Sequence, residues 1–245
     1  LEARCRRPAG VESLPCLPTG GGHDEAVPSS LTTRLVLIRH GEAQAAIDGV
    51  VAGPKGCTGL SDRGRRQTVA LAERLERTRE LEGVDAVLTS VLARAVETAA
   101  ILAPALGGLE GIRDCELCEL HPGECDGLTW EEFQSRYGTR AQTDPDWPIS
   151  PGGESLNQFD NRVRMALYGI LGRYTGRSVV VVGHGGFIVA SALALMGLGG
   201  LRPRPTFRLD PTHTSLTEWE AVDLISTWRL VRYNDSAHLA ALPGE

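Results

Sequence analysis

Three short apolar runs, Leu35 to Ile38, Val84 to Leu88 and Val179 to Val182, punctuate the chain, and each is followed by a stretch with apolar residues at helical spacing. Such runs, uninterrupted in the first and third and broken only by Asp85 in the second, predict buried strands, as in the middle of a parallel sheet. After the first run, Ser61 offers an N-cap, and Val69, Leu71, Ala72 and Leu75 predict an amphipathic helix from Asp62 to about Glu80. After the second, Thr89 and Ser90 end the strand. Ser90 is expected to cap a helix to about Leu106 that carries Arg94, Glu97 and Thr98 in its first turns. Before the third, Leu156, Phe159, Val163, Leu167, Ile170 and Leu171 predict a long helix from Glu154 or Ser155 to about Tyr174; after it comes a helix from Phe187 to Met196.

The remaining stretches are less regular. Ile112 to Leu120 is expected as a strand, Gly123 to Gly127 as a turn, and Thr129 to Tyr137 as a short helix with Trp130 and Phe133 on one side. Ser215 to Val222 and Thr227 to Tyr233 are expected as a hairpin at a sheet edge. Strands alternating with helices predict an α/β fold with helices on both faces of one sheet. Ala43 to Gly59 and Gly138 to Gly153 read as long connections that begin at or cover one edge of that sheet. Residues 1–33, rich in Pro, Gly and Ser without periodicity, are expected as a disordered leader to a domain over 34–235, with a short tail at 236–245.

Composition narrows the classes. At 245 residues one substantial domain suffices, and a net charge of -6 disfavours a general nucleic-acid binder. No apolar run reaches membrane-span length, and the leader has no long apolar core of a secretory signal, so a cytoplasmic location is expected. Six cysteines are too few and too clustered for a disulfide framework. Cys115, Cys118 and Cys125 lie close together with His121 among them. Closing a zinc site would take a distant ligand from Cys57 or the terminal cysteines, so the expectation is small buried thiols and no metal.

The candidate chemistry sits where the apolar runs stop. Arg39 and His40 follow the first run and Gly183-His184-Gly185-Gly186 follows the third, so parallel strands bring both histidines to the carboxyl edge where open α/β sheets hold ligands. A strand-end histidine alone can simply satisfy backbone groups, and two can serve a metal, but Arg39 beside His40 would repel a divalent ion. Arg39, joined by Arg94 from the start of its helix, matches a phosphate instead. A histidine against a phosphate implies nucleophilic attack on phosphorus, with the arginines and second histidine stabilising the equatorial oxygens and an acid protonating the leaving group. Glu119 is the chosen acid, with Glu124 and Glu42 as competitors.

Arg39-His40-Gly41-Glu42 resembles the signature of the histidine phosphatase superfamily, which includes cofactor-dependent phosphoglycerate mutases. The likeness continues in order through Leu60-Ser61 with Gly64 and Gln67, Ser90 to Ala95 with Glu97-Thr98-Ala99, Glu119-Leu120 with Gly123-Glu124, Pro151 to Ser155, and Gly183-His184-Gly185. It implies a three-layer α/β/α sandwich with a mostly parallel central sheet. It also implies His40 as the phosphorylated nucleophile, Glu119 as proton donor, and Arg39, Arg94, His184 and Gly185 as the phosphate pocket, with no metal or organic cofactor. Ala45 and Ala46 stand where the mutases carry an asparagine. The connection before Gly152 is short, Cys125 replaces a common aromatic, and His213, where an asparagine is common, is expected as a turn residue. These departures resemble the phosphatase branch. The expected activity is hydrolysis of a small phosphomonoester, against a mutase or a catalytically silent phosphate-binding module; the partner is the phosphorylated substrate, and a homodimer is compatible with the sequence.

Overall fold

The computed structural model describes residues 32–138, 140–198, 208–221 and 227–242. Nearly all of the expected leader, and the turn of the expected hairpin, lie outside the described residues. The strands are β1 (Thr33–Arg39), β2 (Ala86–Thr89), β3 (Ile112–Arg113), β4 (Ser178–Gly183), β5 (Leu216–Ala221) and β6 (Trp228–Asp235). The helices are α1 (Gln44–Ile47), α2 (Asp62–Thr78), α3 (Ala93–Leu102), α4 (Trp130–Tyr137), α5 (Arg140–Thr143), α6 (Leu156–Arg173) and α7 (Gly185–Leu195). The sheet order is β3-β2-β4-β1-β5-β6; β1 to β4 run parallel, and β5 and β6 close the far edge antiparallel.

The alternation of side chains along the strands builds two cores. Leu35, Leu37, Val179, Val181 and Trp219 face α6 and α7 through Phe159, Val163, Leu167, Phe187 and Ile188. Val36, Ile38, Val87, Val180 and Val182 face α2 and α3 through Leu71, Leu75, Ala95, Ala99 and Leu102. Both faces of β1 and β4 are therefore covered, which is why their sequences are apolar without alternation. The result is the three-layer α/β/α sandwich. Each fully buried Val or Leu contributes about 2 kcal/mol, so the register of β1 against β4 is strongly fixed. That register pairs Arg39 with Gly183 and Val182 with Thr89, which brings the ends of β1, β4 and β2 level.

Local signals explain the starts of the two longest helices. Ser61 accepts from the Gly64 N–H to cap α2, and Ser155 and Gln158 form a reciprocal capping box on α6. Three expectations are corrected. Over Ile112 to Leu120 only Ile112–Arg113 is strand; the chain then tightens into a 3-10 turn at Cys115–Leu117, whose N-cap Asp114 accepts from the Glu116 N–H. The mixed polar pattern there reflects a segment paired to the sheet at one end only. Helix α3 stops at Leu102 because Pro104 follows, the next turn being 3-10. Helix α7 starts at Gly185, not Phe187. Among the described residues no helix is long and apolar enough to cross a membrane.

Candidate active site

Three level strand ends form the floor of the site. His40 leaves β1, His184 leaves β4 and opens α7, and Ser90 leaves β2; all three are buried. The turn after His40 is set by a close approach. A Cβ on Gly41 would lie 2.4 Å from the Gly64 carbonyl oxygen, and one on Gly64 would lie 2.1 Å from that of Glu42, so the loop presses directly on the first turn of α2. Thr98 Oγ1 accepts from the Gly41 N–H at 3.1 Å, which ties the same turn to α3.

The bonds of His40 fix its tautomer. Nδ1 lies 2.6 Å from the Gly41 carbonyl, which can only accept, so Nδ1 carries the proton. Nε2 accepts from Arg94 Nε–H at 3.0 Å, a group that can only donate, so Nε2 holds a lone pair. Burial first, then the charges of Arg94 and His184, hold the His40 pKa well below its usual 6.5. Burial and the charges of Arg94, Arg162 and Arg39 do the same for His184. The two rings meet edge to face, with centroids 5.1 Å apart. At neutral pH the centre thus holds two neutral imidazoles among guanidinium groups.

Two buried nitrogens of this floor are left over. Arg39 Nη1 bonds the Pro211 carbonyl and His184 Nε2 lies 2.8 Å from Ser90 Oγ, yet Arg39 Nε and His184 Nδ1 find no hydrogen-bond partner among the described residues. An unmet buried polar group costs about 1–3 kcal/mol, and buried donors beside cationic side chains are what an anion's oxygens would satisfy. Arg94 is positioned by Nη1 on the Ala52 carbonyl at 2.9 Å and by its own N–H on Cys57 Sγ at 3.5 Å. The loop carrying Ala52 is held by Asp126, whose carboxylate accepts from the N–H groups of Gly53, Lys55 and Gly56.

The three candidate acids separate clearly. Glu119 Oε2 accepts from the Gly186 N–H at 2.9 Å, next to His184, and a Cβ on Gly186 would lie 2.2 Å from Glu119 Oε1. The neighbouring Gly185 lies against the Arg39 guanidinium, and the missing Cβ of Gly186 is what lets Glu119 pack onto the start of α7. Glu42 instead accepts from Ser61 Oγ at 2.7 Å and pairs with Arg63 over the start of α2. Glu124 is exposed, 3.5 Å from the Tyr137 hydroxyl. The backbone of the Glu119 segment hangs on Arg162, whose guanidinium donates to the carbonyls of Glu116, Cys118 and Glu119 and to both carboxylate oxygens of Glu154.

Two expectations change. His213 is a turn residue, as expected, and its ring also stands 5.8 Å from that of His40, so it joins the pocket wall. Ser90 is not the cap of α3. The N-cap is Leu92, and Ser90 Oγ, while accepting from the Leu92 N–H at 3.1 Å, faces His184. The same signal that singled out both histidines, a polar residue closing a buried strand, was present at Ser90. The roles of Asp126 and Arg162 had no local signal, since their partners lie far away in sequence. The cysteines disperse: Cys125 donates to the Pro122 carbonyl at 3.0 Å, Cys57 serves Arg94, and Cys115 and Cys118 stay together.

Residues 35–236 match the sequence model of the histidine phosphatase superfamily (branch 1). The chain is 31% identical to the metal-independent phosphoserine phosphatase of Arabidopsis thaliana over 217 residues, which cover 87% of this chain and 86% of the plant protein. It is 32% identical to the glucosyl-3-phosphoglycerate phosphatase of Mycolicibacterium vanbaalenii over 224 residues, 84% of this chain and 96% of that one. A solved mycobacterial glucosyl-3-phosphoglycerate phosphatase complexed with VO3 superposes with a TM-score of 0.67 at 30% identity, covering 82% of this chain and 98% of the other.

Proposed function

Since the chain belongs to the histidine phosphatase superfamily, we propose that it is a phosphatase that hydrolyses a small phosphomonoester metabolite in two steps, through a phosphoryl group carried on His40 Nε2. The observation that carries this reading is the tautomer of His40: a neutral ring, its proton on the Gly41 carbonyl and its lone pair facing the cationic pocket. In the first step the Nε2–P bond forms while the P–O bond to the alcohol breaks. The Arg94 N–H that rests on Nε2 moves to a phosphate oxygen, and Arg39 Nε and His184 Nδ1 supply further donors where negative charge accumulates. Glu119 gives its proton to the leaving oxygen. In the second step Glu119 takes a proton from water, which attacks phosphorus and releases inorganic phosphate and the neutral His40 ring.

Substrates of the size of a phosphorylated amino acid or a sugar-acid phosphate are supported by the names of the relatives. We assign the protein to the cytoplasm, a reducing compartment that suits its few, clustered cysteines. The test is phosphate release from a panel containing phosphoserine, 3-phosphoglycerate and an aryl phosphate, with parent and His40→Ala run side by side. Release by the parent alone is expected. Full activity in His40→Ala would refute the mechanism, and isomer interconversion without phosphate release would make the chain a mutase.

A further inference from the structure

Outside the pocket floor, the described residues hold a group of three side chains with metal-ligating atoms, Cys115, Cys118 and His121, whose atoms all lie within 4.8 Å of one another. The 3-10 turn at Cys115–Leu117 folds the Cys-x-x-Cys-x-x-His stretch back on itself. The two sulfurs stand 3.9 Å apart, and His121 Nε2 stands 3.9 Å from Cys115 Sγ. With zinc–sulfur bonds of about 2.3 Å and zinc–nitrogen bonds of about 2.0 Å, the corners of a tetrahedral site lie about 3.6–3.8 Å apart. Two of the three edges fit that figure with shifts of a few tenths of an ångström, and the third, from Cys118 Sγ to the His121 ring, is no longer than 4.8 Å. A disulfide would instead require the sulfurs to close to about 2.05 Å.

The surroundings of His121 point the same way. Its Nε2 is turned to the sulfurs while Nδ1 faces Glu154 Oε1 at 3.6 Å. A carboxylate behind a histidine is the arrangement that orients an imidazole for a metal and raises its basicity. Glu154 is fixed in turn by Arg162 and by the His121 N–H, at 2.9 Å. A distant ligand is not needed for a site with three protein ligands and one open position.

We propose that Cys115, Cys118 and His121 bind one zinc-class divalent cation through two thiolates and imidazole Nε2, water completing the tetrahedron. Two thiol protons pass to solvent on binding, and the ion with two thiolates and a neutral imidazole forms a centre of no net charge. Soft sulfur donors select zinc over magnesium or calcium. The ion takes no part in phosphoryl transfer. Its ligands bracket Glu119 in sequence, and Cys118 Sγ lies 3.4 Å from Ser90 Oγ, so binding clamps the acid-bearing segment against the pocket floor.

The full chain, kept reduced with a phosphine and stripped with a chelator, is titrated with cobalt(II) alone and followed by absorption. One equivalent per chain is expected to give thiolate-to-cobalt charge-transfer bands in the near ultraviolet and tetrahedral d–d bands in the visible, both erased by one equivalent of zinc. Cys115→Ser and Cys118→Ser each abolish the charge-transfer signal at one equivalent, while Cys57→Ser and Cys125→Ser leave it intact. Glu154→Gln keeps the bands and weakens binding about 10–100-fold. If the cysteine variants fail to fold, His121→Asn carries the same test, with loss of stoichiometric tetrahedral bands expected. Absence of bands in the parent would overturn the proposal. So would bands that survive Cys115→Ser, or a Cys115–Cys118 disulfide found by mass spectrometry in protein purified with zinc present.

Discussion

The pocket floor and the acid-bearing segment lie side by side and are built by opposite means. His40, His184 and Ser90 end three adjoining strands, so their relative positions are set by backbone ladders and by cores on both faces of the sheet. Glu119 rides on a stretch that joins the sheet only through Ile112 to Asp114 among the described residues and then depends largely on side chains, with Arg162 and Glu154 at the centre. The difference fits the two jobs. A nucleophile and its donors need fixed geometry at the phosphorus, which rigid elements supply. In the proposed mechanism the acid accommodates a leaving group and yields and regains a proton; a segment tethered by side chains permits that.

The largest effect expected is on the floor. His40→Ala should lower kcat/KM by at least about 10^4-fold on every ester, because the nucleophile works as a unit with its donors, while thermal unfolding shows the chain still folded. Glu119→Gln should lower kcat by about 10^2–10^4-fold on alkyl phosphates and far less on an aryl phosphate, whose leaving group needs little protonation. Equal losses on both esters would erase the distinction between floor and acid.

Arg162→Met probes the tether itself. The Arg162 side chain is 9% exposed and Glu154 14%, so removing the cation strands a half-buried carboxylate. The expected cost is about 3 kcal/mol in stability by denaturant unfolding, with an alkyl-ester kcat that falls more than the aryl-ester kcat. A parallel fall would place the damage in the floor instead.

The smallest effect is graded with pH. His40 and His184 have folded pKa values well below the usual 6.5, so below about that pH the unfolded chain binds protons that the folded chain does not. Stability from these groups is therefore complete above that pH and declines as pH falls, by up to about 1.4 kcal/mol per pH unit for each histidine. Melting temperatures across that range check this, and a flat profile would contradict it. The acid limb of kcat/KM, where it reflects His40, should likewise lie below 6.5.

The floor was legible because buried parallel strands announce themselves as apolar runs, and the polar residue that ends each run is displayed at one edge; Ser90 obeys the same rule, although a serine before a helical pattern also reads as a cap. The acid segment was legible mainly through resemblance. Its fold depends on pairs distant in sequence, such as Arg162 with the carbonyls of Glu116, Cys118 and Glu119 and Asp126 with the loop at Gly53. No local periodicity encodes such pairs. For the same reason the sequence predicts a strand through Leu120, although pairing with β2 ends at the Asp114 N–H. The closeness of His213 to His40 depends on the start of β5 lying beside the end of β1, which register alone decides.

The central claim is that the phosphoryl group moves twice, first to His40 and then to water. It is tested most directly by the stereochemical course at phosphorus, using a phosphomonoester made chiral with oxygen isotopes and hydrolysed in isotopically distinct water. Two in-line displacements predict net retention of configuration. Net inversion would mean that water attacks the ester directly, and would contradict a phosphohistidine on His40.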